Sequence, residues 1–249
     1  MSSQRTEVVY GLHAVRALLT RHPERVARVY LQHGRQDARA AEIENLARAA
    51  GRLVERVDAR QLQARLGEAV HQGIVAEVAP LAAWSEAELL AAITKSADPL
   101  LLALDGVQDP HNLGACLRTA DACGVLALIV PRDRAAPLNA TARKVAAGAA
   151  ETTPVVTVTN LARTLGLLKG AGLWIAGADA AAPQQAHQID LTGPRVLVMG
   201  AEGAGLRQLT RRHCDWLVRL PSLGSVESLN VSVAAGMLLY EAMRQRAQA

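Results

Sequence analysis

The chain contains no phenylalanine, and three tryptophans with three tyrosines are its only aromatics. The base-stacking platforms of single-strand binders are therefore missing, and any RNA would be held mainly through backbone and ribose contacts. Lysine is scarce too: Lys95, Lys144 and Lys169 are the only three among 27 basic residues. Arginine carries almost all of the net charge of +4, a bias that fits an anionic partner without requiring one. Three cysteines, Cys116, Cys123 and Cys214, give neither a disulfide framework nor metal-ligand spacing, so no metal is expected. Cys116 and Cys123, seven apart, read as core positions of one helix. No run resembles a signal peptide and none has the length of a membrane span, so a cytoplasmic location without a membrane partner is expected.

Two nucleotide-binding fingerprints are also missing. The loop Gly200-Ala-Glu-Gly203-Ala-Gly205 is not G-x-G-x-x-G, and it follows a late strand with no ribose-binding acid some 20 residues on. Gly-Lys-Ser/Thr is absent from it, which excludes a Walker A loop. A Rossmann oxidoreductase is thereby disfavoured.

What the chain does have is apolar residues, half of its 249, enough for one large domain or two small ones. Residues 4–79 alternate short apolar runs with helical patterns: VVYGLHAVRALL leads into a helix, RVARVYL is a strand, and DARAAEIENLARAAG is a helix stopped by Gly51. RLVERV, the capped helix DARQLQARLG and a strand HQGIVAEVAP closed by Pro80 complete a compact α/β unit, assigned to residues 1–80. With twelve arginines against nine acids this unit is basic, which suits a substrate-holding module or merely a solvated charged surface. Residues 81–98, containing the short helix SEAELLAAITK, read as a partly helical connector. From residue 99 to 249 a second alternation begins: strands PLLLALDGV, LALIV, VVTV and LWIAGA with helices NLGACLRTADACG, TARKVAAGAA and NLARTLGLLKGAG between and after them. Five or six such strands make a mostly parallel sheet covered on both faces.

The stretch Arg195–Arg246 organises the rest. Two apolar runs, Val196–Met199 and Trp216–Leu220, stop at Gly200 and Pro221, as buried strands do, and each is followed by a glycine-bearing loop and a helical pattern. Open α/β sheets bind ligands at such strand ends, here expected to be neighbours. In the last helix Val231, Ala234, Ala235, Leu238 and Ala242 form one apolar stripe, and Val233, Met237 and Tyr240 a second on another face. A helix apolar on two faces packs on its own sheet and on something else, most simply a second subunit.

Three short stretches carry the polar residues that chemistry would need. In the first, Asp109-Pro110 turns the chain, Asn112 is placed to cap the next helix, and Arg118 lies about two turns inside it. Asn112 reads as a cap or as a site residue, and Arg118 as a site residue or as an ion-pair partner of Asp121. In the second, Glu202 either serves a site or offsets the positive end of the following helix. In the third, Ser228 is a plausible N-cap, and Asn230 would then sit early in an otherwise apolar helix.

Taken together these stretches resemble the three signature motifs of the SpoU (TrmH-type) RNA 2′-O-ribose methyltransferases of the SPOUT class. Asp109-Pro110-x-Asn112-x-Gly114-x-x-x-Arg118-Thr119-Ala120 looks like motif one, Val198-Met199-Gly200-Ala201-Glu202-Gly203-x-Gly205 like motif two, and Leu220-Pro221 with Ser228-Leu229-Asn230-Val231-Ser232-Val233-Ala234 like motif three. The front unit resembles the ribosomal-protein-like RNA-binding domain of those members that methylate a guanosine ribose in 23S ribosomal RNA. The resemblance implies a catalytic α/β domain with a C-terminal trefoil knot, and a homodimer. It implies S-adenosylmethionine held largely by backbone groups of Gly200, Leu220 and Leu229, with Met199 and Ser228 beside them. It implies a catalytic set of Arg118, Asn112, Glu202 and Asn230. Arg118 would act as base or as an orienter of phosphate and ribose, the asparagines would position ribose and loop, and Glu202 would orient Arg118 or the motif-two loop. A transfer RNA substrate and a catalytically silent RNA binder are the alternatives.

Overall fold

The computed structural model describes residues 6–35, 37–66, 72–79, 83–225 and 228–249, which form two compact units. One comprises residues 1–82 with 147–152, the other residues 83–146 with 153–249.

In the first unit, β1 (Glu7–Tyr10), β2 (Val26–Gln32), β3 (Leu53–Val57) and β4 (Ile74–Val78) form a sheet in the order β1-β4-β2-β3. Only β2 and β3 run parallel. Helices α1 (Leu12–Arg21) and α2 (Ala38–Ala49) pack through Val15, Leu18, Leu19, Ile43 and Ala47 on Val26, Val29 and Ile74. Helix α3 (Ala59–Leu66) packs Leu62 with Tyr30, Val57 and Val75. It opens on a reciprocal cap: Asp58 Oδ1 accepts from Gln61 N at 2.7 Å, and Gln61 Oε1 from Asp58 N at 3.0 Å. The expected strand stop at Pro80 lies outside the described residues.

The segment expected as the helix TARKVAAGAA ends early. Helix α6 covers Ala140–Val145; then Ala147 (φ 52°) and Gly148 (φ 102°) turn left-handed and a single 3₁₀ turn follows. The break lets residues 147–152 join the first unit, where a Cβ on Gly148 would lie 3.0 Å from the carbonyl of His13. Glu151, buried there, receives Nη1 of Arg25 at 3.1 Å.

The second unit is built on seven parallel strands: β5 (Leu100–Asp105), β6 (Ala127–Pro131), β7 (Val155–Val158), β8 (Trp174–Ala178), β9 (Gln184–Gln185), β10 (Arg195–Gly200) and β11 (Trp216–Arg219). Their order is β7-β6-β5-β10-β8-β11-β9. Successive residues of β5 and β10 are all buried up to Asp105 and Met199, the continuous apolar reading of strands covered on both faces. One face carries Leu101, Ala103, Val196 and Val198 against α7 (Leu161–Gly170) and against α4 (Glu86–Ile93) through Leu89 and Ile93. The stretch 81–98 thus contains its helix, capped reciprocally by Ser85 and Glu88, but that helix is part of the second unit's core. Helices α5 (Pro110–Ala122) and α9 (Val231–Arg246) bury Leu113, Cys116, Leu117 and Ala120, and Ala235, Leu238, Leu239 and Ala242. They approach closely, since a Cβ on Gly236 would lie 3.6 Å from Cγ2 of Thr119. A short helix α8 (Gln208–His213) precedes β11.

The last helix bears out its two stripes. Val231, Ala235, Leu238 and Ala242 are buried and Ala234 of the same stripe is half-buried, whereas Val233, Met237 and Tyr240 are exposed, Tyr240 by 66%, and Met243 joins them. One expectation changes: β10 and β11 are not neighbours, because β8 pairs with both of them.

Candidate active site

The three motif stretches meet at the C-terminal ends of β5 and β10 and at the start of α9. Parallel strands bring this about, because β5 and β10 run in register and end side by side at Asp105 and Gly200. Gly106 then turns left-handed (φ 87°), and a Cβ on it would sit 3.6 Å from the Cβ of Ala201 in the motif-two loop.

Asp109, not Asn112, caps α5: its carboxylate accepts from the His111 amide at 2.9 Å, and Pro110 fills the first helical position, where no amide hydrogen is needed. Asn112 is left free for another task. Likewise Asn230, not Ser228, caps α9, its Oδ1 accepting from Ser232 N at 2.9 Å and Ser232 Oγ at 2.6 Å. Capping fixes the Asn230 oxygen inward, so its amide nitrogen must point away, and there it donates to Oδ1 of Asn112 at 3.0 Å. One side-chain hydrogen bond therefore ties motif one to motif three. Removing the Asn230 amide by Asn230→Ala is expected to cost about 1 kcal/mol through the lost cap. A double-mutant cycle with Asn112→Ala, followed by thermal denaturation, should show coupling of about 0.5 kcal/mol or more between the two positions.

The motif-two loop folds back on its own strand. Ala201 and Gly205 exchange main-chain hydrogen bonds at 3.1 and 2.8 Å, with Gly203 (φ 76°) and Gly205 (φ 65°) left-handed. A Cβ on Gly200 would lie 2.2 Å from the carbonyl carbon of Gly205, so only glycine fits. Beyond the loop, buried Asp105 accepts from the Arg207 main-chain N at 2.9 Å and from its Nε at 2.5 Å. That clamp was not anticipated from the sequence; its only signal is an acid closing the apolar run LLLALD.

Arg118 is exposed on α5 and makes no hydrogen bond or ion pair among the described residues; Asp121 instead accepts from Thr153 Oγ1 at 3.1 Å. Glu202 is exposed at the loop tip, and its side chain has no partner among the described residues, so it does not hold Arg118 in this structure. Six positions before the first residue of α8, it is outside that helix's first turn and does not offset its positive end. Met199 has its side chain buried, leaving only backbone to face a ligand, while Leu220 and Leu229 are half-buried and Ser228 is exposed. The cysteines offer no nucleophile: burial pushes the thiols of Cys116 and Cys214 up to about 12. Among the described residues no cluster of His, Cys, Asp and Glu could hold a metal ion, and no helix is long and apolar enough to cross a membrane.

Comparison with known proteins agrees with this geometry. The SpoU rRNA Methylase family matches residues 99–240, and the family described as RNA 2'-O ribose methyltransferase substrate binding matches residues 8–84. The 23S rRNA (guanosine-2'-O-)-methyltransferase RlmB of Pseudomonas aeruginosa is 58% identical over 96% of this chain and 97% of its own length. The protein of the same name from Escherichia coli K12 is 51% identical over 97% of this chain and 99% of its own. Among solved structures, the SpoU methyltransferase AviRb from Streptomyces viridochromogenes in complex with the cofactor AdoMet superposes with a TM-score of 0.78 at 27% identity, covering 98% of this chain and 91% of that one. The chain belongs to the SpoU family of RNA methyltransferases, on a SPOUT-class α/β catalytic unit preceded by a substrate-binding unit.

Proposed function

We propose that this protein transfers a methyl group from S-adenosylmethionine to the ribose 2′-hydroxyl of a guanosine in 23S ribosomal RNA, working as a cytoplasmic homodimer. The observation that carries this reading is the meeting of three motif stretches at one end of the sheet: the Asn112–Asn230 bond, the glycine-only turn at Gly200 and the guanidinium of Arg118, unpaired among the described residues. Near-full-length identity with the RlmB relatives supports the choice of 23S ribosomal RNA.

The residues present fit the cofactor. Gly200 leaves the strand end without a side chain, and Leu220 and Leu229 offer half-buried apolar walls. The family's knotted passage of the chain at this end belongs to the same reading. When bound, S-adenosylmethionine supplies an already activated methyl group, so the protein's tasks are alignment and disposal of a weakly acidic proton. Alignment alone supplies several kcal/mol toward the barrier. Asn112 and Asn230, locked to each other, position the motif-three loop and the ribose. Arg118 orients the hydroxyl and the phosphate beside it through its fork of N–H donors, and the hydroxyl proton passes to solvent late in the transfer. Glu202, at the free tip of its loop, is placed to meet a ligand or the RNA.

The experiment that tests this reading maps 2′-O-methylated riboses in ribosomal and transfer RNA from cells with and without the protein. Loss of one guanosine methylation in 23S ribosomal RNA is the expected result; loss confined to transfer RNA, or no loss, overturns it. The dimer rests on the exposed face of α9, where Val233, Met237, Tyr240 and Met243 lie bare to solvent beside a well-packed opposite face. Met237→Glu places a charge there and is expected to shift sedimentation from dimer toward monomer while leaving the circular dichroism of each chain unchanged.

A further inference from the structure

On the β6–β7 side of the same sheet end lies a groove of about 370 Å³ that none of the three motifs explains. Its lining includes Asp133, Thr159, Asn160, Arg207, Gln208 and Leu209. The volume falls in the range of about 300–1,000 Å³ typical of small-ligand sites, and its wall sets polar side chains among apolar ones such as Leu161 and Leu209. The carboxylate of Asp133, the hydroxyl of Thr159, the carboxamide of Gln208 and the amide nitrogen of Asn160 form no hydrogen bond among the described residues. Asn160 uses only its oxygen, which caps α7 by accepting from Arg163 N at 3.1 Å.

Arg207 is the fixed point. Asp105, buried at the end of β5, holds its main-chain N and its Nε, so the guanidinium is oriented before any ligand arrives. Its two terminal amines make no hydrogen bond among the described residues and remain available as a fork for an oxyanion. Because Asp105 offsets the charge of Arg207, further cations matter, and the rim supplies them. Arg132 and Arg134 are exposed and unpaired among the described residues. Arg134 is held left-handed at φ 57°, a conformation that is unfavourable for a non-glycine residue and persists only when its surroundings impose it. Here main-chain bonds fasten the loop at both ends, from Arg132 N to Val158 O at 2.7 Å and from Ala136 N to Val107 O at 2.8 Å. The second bond joins it to the motif-one turn, so the rim lies between the groove and the candidate active site.

We propose that this groove is a subsite for one ribonucleotide of the RNA substrate outside the methylated position, with its phosphate on the Arg207 fork. Asp133, Asn160 and Gln208 then meet the hydroxyls and base edge of that nucleotide, Asp133 accepting from N–H or O–H donors. The rim arginines meet the neighbouring phosphates. The inference rests on the RNA methyltransferase reading above.

The test uses the full-length protein, S-adenosylmethionine and a 23S ribosomal RNA transcript spanning the mapped target. Arg207→Gln is expected to raise KM for RNA about tenfold, and to flatten the salt dependence of RNA binding by about 0.7 in slope, the change expected for one lost single-strand phosphate contact. Since Arg207 also fastens the motif-two loop, Ala162→Trp, which fills the groove from α7 and keeps both Asp105 and Arg207, should raise KM for RNA in the same way. In this groove-filling variant, which keeps the Asp105–Arg207 clamp, S-adenosylmethionine affinity by calorimetry should stay within twofold. A purely structural Arg207 would lower thermal stability with an unaltered salt slope and with Ala162→Trp at wild-type KM, and that result overturns the subsite. If the wild-type protein leaves the transcript unmethylated, the function itself falls and the subsite with it.

Discussion

Replacing Arg118 by alanine is expected to lower turnover about 100-fold or more while leaving S-adenosylmethionine affinity within about twofold, the loss typical of removing one positioned catalytic group. The structural basis is the isolation of this side chain. It is exposed on a helix whose core contacts are made by Leu113, Cys116, Leu117 and Ala120, and no described residue pairs with it. Its removal therefore leaves no orphaned partner and no cavity, and thermal stability should change by no more than about 0.5 kcal/mol. A 100-fold loss corresponds to about 2.7 kcal/mol of transition-state stabilisation, so the effect on rate should far exceed the effect on folding. Arg118→Lys separates orientation from charge: if a planar fork on phosphate and ribose matters, lysine should restore only a small part of the loss. Single-turnover methylation with calorimetry of cofactor binding checks both variants, and near-wild-type turnover in Arg118→Ala would remove this residue from the mechanism.

Much of this architecture was legible in the residue pattern, because the strands of the second unit are short, continuous apolar runs with glycine, proline or an acid at their ends. LLLALD, LALIV and RVLVMG are strands in the structure within a residue or so of their apolar limits. The two apolar stripes of α9 were legible for the same reason, since helical spacing assigns residues to faces whatever packs against them. Capping was not. Aspartate and asparagine both cap well, so the pattern Asp109-Pro110-His111-Asn112 admits two starts, and Pro110 settles it only once the backbone is seen to favour Asp109. The same ambiguity let Ser228 stand for Asn230. In both cases the correction sharpens the site, because it frees the Asn112 oxygen to receive the Asn230 amide.

Contacts between residues far apart in the chain left no local signal. The Asp105–Arg207 clamp spans 102 positions, and neither residue is unusual in its own neighbourhood. Strand order is equally non-local: β8 lies between β10 and β11 although it precedes both, and period-two burial does not encode which strand pairs with which. Nor does anything in TARKVAAGAA foretell that its last residues leave the helix, since alanine is the best helix former and only Gly148 hints at a break.

Gly200→Ala should have the second large effect, and of a different kind from Arg118→Ala. A methyl group at this position would lie 2.2 Å from the Gly205 carbonyl carbon, 2.4 Å from its oxygen and 2.5 Å from the Leu206 nitrogen. All three are main-chain atoms, so no side-chain rotation relieves the overlap and the loop 201–206 must move away from the end of β10. The loop is not free to move cheaply, because the paired hydrogen bonds between Ala201 and Gly205 and the Asp105–Arg207 clamp hold it at two points. Overpacking of this sort costs about 1–3 kcal/mol, which for a chain of this size lowers the melting temperature by roughly 2–12 °C. The same displacement moves the backbone proposed to line the cofactor site, and a shift of about 1 Å in such a frame costs of the order of 100-fold. Arg118→Ala is expected to spare cofactor affinity and lose turnover, whereas Gly200→Ala should lose cofactor affinity first. Calorimetric titration with S-adenosylmethionine, run below the lowered melting temperature, decides the matter. A Gly200→Ala protein that binds the cofactor as tightly as wild type would place the methyl donor somewhere other than this strand end.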